Sequence, residues 1–318
     1  MSDDLEKIKG VGSSIAAKLR SAGLTTVEAL SVTPLREVVS KSGLGEETAL
    51  KICEEARRMM NFGFIRATEV WERKKSMLRC TTGSKKLDEV LGGGVETQAM
   101  TELIGDFGVG KTQICLVLSV TAQLPREQGG LEGNVIYVDT EGTFSPDRVY
   151  QIASKRGLDP QKTLNGIVLA RAYTSDHQCL IIDHLFKKCP EENAKLVVVD
   201  SMISHFRGEY IGRDTLSERQ QLLNQYLHKL LRLSEAYNLA VVITNQVQAN
   251  PAQFWGNPEH PTGGHVMAHA CTHRVHMRRG KSDSRVAKII DSPYLPEKSA
   301  SFKITEKGIE DVENVDAD

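Results

Sequence analysis

Hydrophobic and polar positions divide the chain into two unlike stretches. Residues 1–60 set Leu, Ala, Ile and Val at helical spacing among Glu and Lys, with no strand-like run, and predict a small all-helical domain. From residue 80 to 318 the pattern becomes short apolar runs separated by helical periods. The runs 99–104, 135–139, 167–172, 196–200 and 240–244 predict strands, and 113–120 predicts a helix with one apolar face. Strands alternating with helices predict an α/β domain built on a mostly parallel sheet with crossover helices. Residues 61–79 predict a linker, because the helical period breaks at Gly63 and the stretch up to Trp71 reads as extended. Phe64 and Ala67 would there pack on their own domain, as most such residues do, or join a neighbouring molecule as an added edge strand.

The strongest chemical signal lies at 105–112, where Gly105, Asp106, Phe107, Gly108, Val109, Gly110, Lys111 and Thr112 fit the pattern G-x-x-x-x-G-K-[ST]. A predicted strand precedes it and a predicted helix follows. Glycines let backbone N–H groups converge on phosphate, and a helix N-terminus adds a favourable potential. Lys111 would reach the β- and γ-phosphates of a nucleotide and the Thr112 hydroxyl would ligate Mg²⁺, so ATP and Mg²⁺ are the expected cofactors. Asp200 ends the apolar run 196–199, where a carboxylate can hold the magnesium shell or merely cap the next turn. Glu141 emerges after the run 135–139, placed to deprotonate a water for attack on the γ-phosphate. Asn245 and Gln246 leave the run 240–244 in the same way. An amide there can bond the γ-phosphate or its water and pass the nucleotide state into the next loop, although position alone also allows Gln246 a satellite role in the core.

Two short pieces of the N-terminal domain have a common form: Ile8-Lys9-Gly10-Val11-Gly12 and Ser42-Gly43-Leu44-Gly45, each followed by a helical pattern. Such glycine turns between helices leave N–H groups free for phosphate, and the pair favours a DNA-contacting or docking domain over plain helical turns. Elsewhere, 207–213 and 247–264 read as mobile loops, the second too long for an ordinary connection. The run 273–281 is the most basic in the chain, either a solvated strand face or a patch that tracks phosphates. Residues 310–318 are acidic and predict a frayed end.

A formal net charge of −1 excludes a globally basic nucleic-acid binder, so any DNA site must be local. The 6 cysteines form no C-x-x-C, which argues for reduced, mostly buried thiols in a cytoplasmic protein. No apolar run approaches the roughly 18 residues of a membrane span, so a membrane partner is not expected.

Taken in order, these segments resemble the RecA-type DNA recombinases, in the branch of archaeal RadA and the eukaryotic strand-exchange proteins. The resemblance is carried by 105–112, by Asp139-Thr140-Glu141-Gly142-Thr143-Phe144, by 196–201, by Thr244-Asn245-Gln246-Val247 and by Asp291-Ser292-Pro293-Tyr294-Leu295-Pro296. With the hairpin domain and Phe64-Ile65-Arg66-Ala67 it spans essentially the whole chain. It implies a RecA-like P-loop ATPase core behind a helix-hairpin-helix domain. The implied activity is an ATP-dependent helical filament on single-stranded DNA that pairs with and exchanges strands of a homologous duplex. Self-association into a filament or ring, and recombination mediators, are the implied protein partners. Glu141 would be the catalytic base, with Lys111 and Gln246 beside it, and Gln113 would join 105–112 in holding the nucleotide. Arg148 would stack on adenine, Asp291 and Pro296 would cover the nucleotide of the adjacent protomer, and His269 would sense the γ-phosphate across that interface. Arg207, Tyr210, Arg213 and Arg219 would form the first DNA-binding loop and its flank, and 247–264 the second. Phe64-x-x-Ala67 matches the polymerisation signature, with Ala170 and Ala172 lining the receiving pocket. Two departures stand out: Ser145 and Asp147 replace the Arg and Glu of many relatives, and the second loop carries Phe254-Trp255 amid Asn and Pro. An accessory paralogue that aids filament loading is the alternative reading, and a hexameric motor a more remote one; the hairpin domain and the complete Phe64 motif favour the recombinase itself.

Overall fold

Glycine placement shapes the smaller of two units. A computed structural model describes residues 4–212, 214–249 and 259–312, and the chain divides into Met1–Met77 with Ile182–Glu192, and Leu78–Ile181 with Asn193–Asp318. In the first unit Gly10 (φ +94°) and Gly43 (φ +66°) take the left-handed conformation that a Cβ would strain. Two residues after each, Gly12 and Gly45 cap the helices Ser13–Ser21 and Glu46–Met59. The two glycine turns predicted from sequence are therefore built alike. Helices Val27–Val32 and Leu35–Ser42 lie between them in the chain, the first capped by Thr26 Oγ1 accepting from Ala29 N at 3.1 Å. Leu5, Ile8, Leu19, Leu30, Val38 and Ile52 are fully buried and form the small core.

The linker differs from its expected extended form. Residues 61–66 and 75–79 are non-helical, but Ala67–Lys74 is a helix, and none of its residues is buried. Glu69 explains the change, since its Oε1 accepts from the Arg66 backbone N–H at 3.2 Å and closes the first turn of a stretch rich in helix formers.

Among its described residues the second unit contains thirteen strands in chain order: β1 (Arg79–Cys80), β2 (Val95–Glu96), β3 (Ala99–Gly105), β4 (Asn134–Asp139), β5 (Ile167–Arg171), β6 (Ala194–Asp200), β7 (Ala240–Asn245), β8 (Val247–Ala249), β9 (Glu259–Pro261), β10 (His273–Arg279), β11 (Arg285–Asp291), β12 (Ser299–Thr305) and β13 (Gly308–Asp311). Nine of them form one sheet in the order β13-β12-β11-β10-β3-β7-β6-β4-β5. The pairings from β10 to β5 are parallel, and those from β10 out to β13 are antiparallel. This is the mostly parallel α/β sheet expected from the alternating pattern. Leu103, Val117, Tyr137, Val198, Val242, Val275 and Phe302 belong to its main apolar cluster.

The two outer strands end the sheet differently. Beside β13, Asp311 Oδ1 accepts from Ser84 Oγ at 2.5 Å and Lys86 N at 3.1 Å, while Lys86 Nζ donates to Val312 O at 2.8 Å. On β5 the side chains are only partly buried, and Leu169 is exposed.

Five further expectations need correction. The helix Lys111–Thr121 is buried all round from Ile114 onward rather than on one face, because the sheet and its neighbours enclose it. The run 204–209, partly assigned to a loop, is the helix Ser204–Glu209, anchored by the fully buried Phe206. Val247 and Pro261 pair across β8 and β9, so the second loop leaves and returns as an antiparallel ladder; 250–258, with Phe254 and Trp255, lies outside the described residues. The basic run 273–281 is a solvated face only at its end: β10 lies between β3 and β11, His273 and Arg274 are buried, and Arg278, Arg279 and Lys281 are exposed. Nor is the acidic end frayed throughout, since Glu310 and Asp311 belong to β13; 313–318 lies outside the described residues.

Candidate functional site

Gly105, Asp139, Arg171, Asp200 and Asn245 are the last residues of β3, β4, β5, β6 and β7. The parallel pairing therefore brings five polar or loop-forming positions to one edge of the sheet, the edge at which open α/β sheets bind ligands. Register keeps them level: Asp139 faces Asp200 on one side and Arg171 on the other, and Ile104 faces Asn245.

The phosphate loop leaves β3 at Gly105, where a Cβ would meet Met277 O at 2.3 Å, so only glycine allows β10 to pass so close. Gly110, at φ +102°, turns the chain into the helix Lys111–Thr121. The Lys111 ammonium donates to Gly105 O and Asp106 O, both at 2.7 Å. Burial lowers the Lys111 pKa, and Asp200, Glu141 and Asp106 oppose the shift. Phe107 is exposed at the tip of the loop. An ammonium, the hydroxyl of Thr112 and the N-terminus of an eleven-residue helix, with a carboxylate at Asp200, form a donor set that fits a nucleotide triphosphate and its magnesium.

Asp200 is 4% exposed and fully engaged, accepting from Thr244 Oγ1 at 2.5 Å and Tyr137 OH at 2.8 Å. Glu141 stands beside it: its Oε1 accepts from Ser201 Oγ and from Gln246 Nε2, each at 3.1 Å. Gln246 in turn accepts from Arg207 Nη1 at 3.4 Å. Glu141, Gln246 and Arg207, assigned separately from sequence, thus form one hydrogen-bonded line.

Gln246 is aimed by the strand it follows. Its N–H donates to Asn245 Oδ1 at 2.8 Å, and Asn245 Nδ2 donates to Thr262 O and to Glu102 Oε1, both at 2.7 Å. Glu102, with no exposed surface, also accepts from Arg274 Nε at 2.6 Å. Arg148 lies near the phosphate helix, with Nε donating to Gln113 Oε1 at 2.9 Å and Nη2 to Thr305 O at 2.5 Å. Ser145, one of the departures from the family pattern, caps the helix that carries Arg148 by accepting from Arg148 N at 3.2 Å.

Other expected positions lie apart from this line. His269 is exposed in the last turn of the helix Gly264–Ala270, its ring stacked on His265 at 6.1 Å. Asp291 and Pro296 are exposed at and beyond the end of β11. Tyr210 ends the helix Ser204–Glu209 with its ring on Phe206, and the Nε of Arg219 is buried without a partner in the first turn of Leu216–Tyr237. Arg213 lies outside the described residues. Phe64 is fully exposed, Ala170 is partly exposed on β5, and Ala172 is buried just beyond it. Ser201 and Thr244, which hold Glu141 and Asp200, receive no role of their own from sequence, although both lie in segments that carry the family resemblance.

Residues 73–312 match the Rad51 family profile, and residues 2–58 match that of the SAM-like helix-hairpin-helix tandem. A relative from Aeropyrum pernix, described as DNA repair and recombination protein RadA, is 48% identical over 310 residues, covering 98% of this chain and 97% of its own. With one profile spanning the whole sheet and a relative matched along nearly its full length, the chain belongs to the Rad51 family.

Proposed function

We propose that this chain is an ATP-driven DNA recombinase that assembles on single-stranded DNA and exchanges its strand with a homologous duplex. The observation that carries the proposal is the line Arg207–Gln246–Glu141 beside Lys111, which joins a candidate DNA-facing arginine to a candidate base. Lys111, Thr112 and the N–H groups opening the helix Lys111–Thr121 would hold the phosphates, with Thr112 and Asp200 at the magnesium, which supplies charge neutralisation for the leaving phosphate. Glu141 orients a water and takes its proton, while Ser201 and Gln246 fix the carboxylate that does so. Gln246 and Arg207 lie at the start of the 247–264 segment and in the helix after β6, so DNA seated there changes the partners of Glu141 directly. Phe64 is the anchor for assembly, since an exposed phenylalanine gains only by docking on another copy. The kinship with a protein described as acting in DNA repair and recombination supports the same reading.

The test is joint-molecule formation from a circular single strand and a homologous linear duplex, with ATP, Mg²⁺ and no added protein. Exchange by the chain alone is expected. ATP hydrolysis and DNA binding without joint molecules would instead identify an accessory protein that helps another recombinase load.

A further inference from the structure

Asp139 ends β4 and turns its carboxylate back beneath the loop that carries Glu141. Its Oδ1 accepts from the backbone N–H groups of Glu141 at 3.0 Å, Gly142 at 2.7 Å and Thr143 at 3.3 Å, and its Oδ2 from Phe144 at 3.2 Å. Four successive N–H groups on one carboxylate leave the loop little freedom, and the residue is only 3% exposed. Arg171, its register partner on β5, donates from Nη1 to Asp139 O at 3.1 Å and to Oδ1 at 3.3 Å. The next residue, Ala172, donates its N–H to the same Asp139 carbonyl at 2.9 Å. The guanidinium also underlies the loop: a Cβ at Gly142 would meet Arg171 Nη2 at 3.1 Å.

We propose that Asp139 and Arg171 are positioning residues for hydrolysis, holding 140–144 in the one geometry that presents Glu141 to Ser201 and Gln246. The inference rests on the reading of Glu141 as the base. It goes further by tying that base to the outermost parallel strand, because Arg171 belongs to β5 and reaches the loop through its bonds to Asp139 and by lying against Gly142. None of these contacts involves 105–112, so the two residues act on turnover and leave nucleotide binding to the phosphate loop.

The charge and geometry state what should change. An amide at 139 keeps the shape but offers one acceptor oxygen where the carboxylate offers two, so the four N–H groups can no longer all be met. A base displaced by about 1 Å costs on the order of 10²-fold in rate. Asp139→Asn and Arg171→Ala should therefore lower kcat for DNA-stimulated ATP hydrolysis by roughly 10- to 100-fold, with KM for ATP within about twofold. Arg171→Lys, which restores a cation without the planar fork, should recover part of the loss. Binding of a fluorescent ATP analogue should be unchanged in all three, and circular dichroism should show parental folding; Arg171 is partly exposed, so its variants serve if Asp139→Asn does not fold.

Glu141→Gln separates the two readings. If the positioning idea holds, Glu141→Gln with Arg171→Ala is no slower than Glu141→Gln alone, because the group being positioned has already gone. A slow Glu141→Gln beside Arg171→Ala and Asp139→Asn variants of parental kcat overturns the positioning role. Full additivity in the double variant overturns it as well. A Glu141→Gln protein of parental rate removes the base reading on which the inference stands.

Discussion

Replacing Phe64 by Glu gives the cleanest separation of folding from assembly. The ring is wholly exposed, at 112% of its reference area, so it contributes nothing to the chain's own core. The variant should therefore unfold within about 0.5 kcal/mol of the parent, as surface substitutions do. Docking is another matter. Burying a phenylalanine on a second copy gains roughly 1.5–3 kcal/mol, and a carboxylate in the same pocket forfeits that gain and adds a desolvation cost. At about 1.4 kcal/mol per factor of ten, each link should weaken by roughly 10- to 100-fold or more. Because a polymer repeats the same link, the concentration needed for long assemblies rises by the same factor. Sedimentation velocity with ATP and single-stranded DNA, beside circular dichroism of the same sample, measures both quantities. Folded Phe64→Glu protein that sediments as long filaments at the parental concentration would refute the reasoning and leave 62–66 as a connecting segment only.

Two further predictions concern buried carboxylates, Glu102 and Glu96. Arg274→Met removes the guanidinium from Glu102, whose carboxylate has no exposed surface, and should cost roughly 3–5 kcal/mol in urea unfolding. A loss below about 1 kcal/mol would mean that Asn245 alone satisfies that carboxylate. Glu96 supplies a pH signature: burial pushes its pKa up, but the donors His273 and Tyr294 and the charge of Arg79 outweigh burial and bring it down from 4.5 to about 2. A folded pKa below the unfolded value means stability fully present above 4.5 and lost as pH falls toward about 2. Chemical denaturation of the parent and Glu96→Gln across that window should show the parent losing its advantage on acidification; parallel curves would contradict the assignment.

Local spacing made the phosphate loop and its flanks readable, because a strand, a glycine turn and a helix start each leave their mark within a few residues. The parallel sheet was legible for a similar reason, as 135–139, 196–200 and 240–244 are short apolar runs bounded by polar strand ends. What pairing decides was hidden. Nothing near Arg171 announces that it faces Asp139, since β4 and β5 are separated by two helices in the chain. The basic letters of 273–281 suggested a wet strand or a phosphate-tracking patch, yet the first half of β10 is buried within the sheet, where Glu102 from β3 neutralises Arg274, and only the later residues are exposed. Ala67–Lys74 was missed through a different competition, in which one glutamate returning to Arg66 N–H outweighed the break at Gly63. The bond from Ser201 to Glu141 also depends on two strands being brought level, which no single stretch of sequence encodes.

The unlike outer strands of the sheet have a consequence for any polymer of this chain. The β13 side is already occupied by Ser84 and Lys86 holding Asp311 and Val312, whereas β5 presents partly exposed side chains and the exposed Leu169. A strand arriving from another molecule can extend such a sheet from one side only. Under the proposed assembly the surface that arrives, around Phe64, would differ from the surface that receives it, so the link would join unlike faces and not close on itself as a two-fold contact does. Every open chain of such links would have a terminus with an unfilled β5 and an opposite terminus with an unplaced Phe64. Such an open polymer would therefore be polar, its two tips would differ chemically, and gain and loss of subunits would proceed at two different rates.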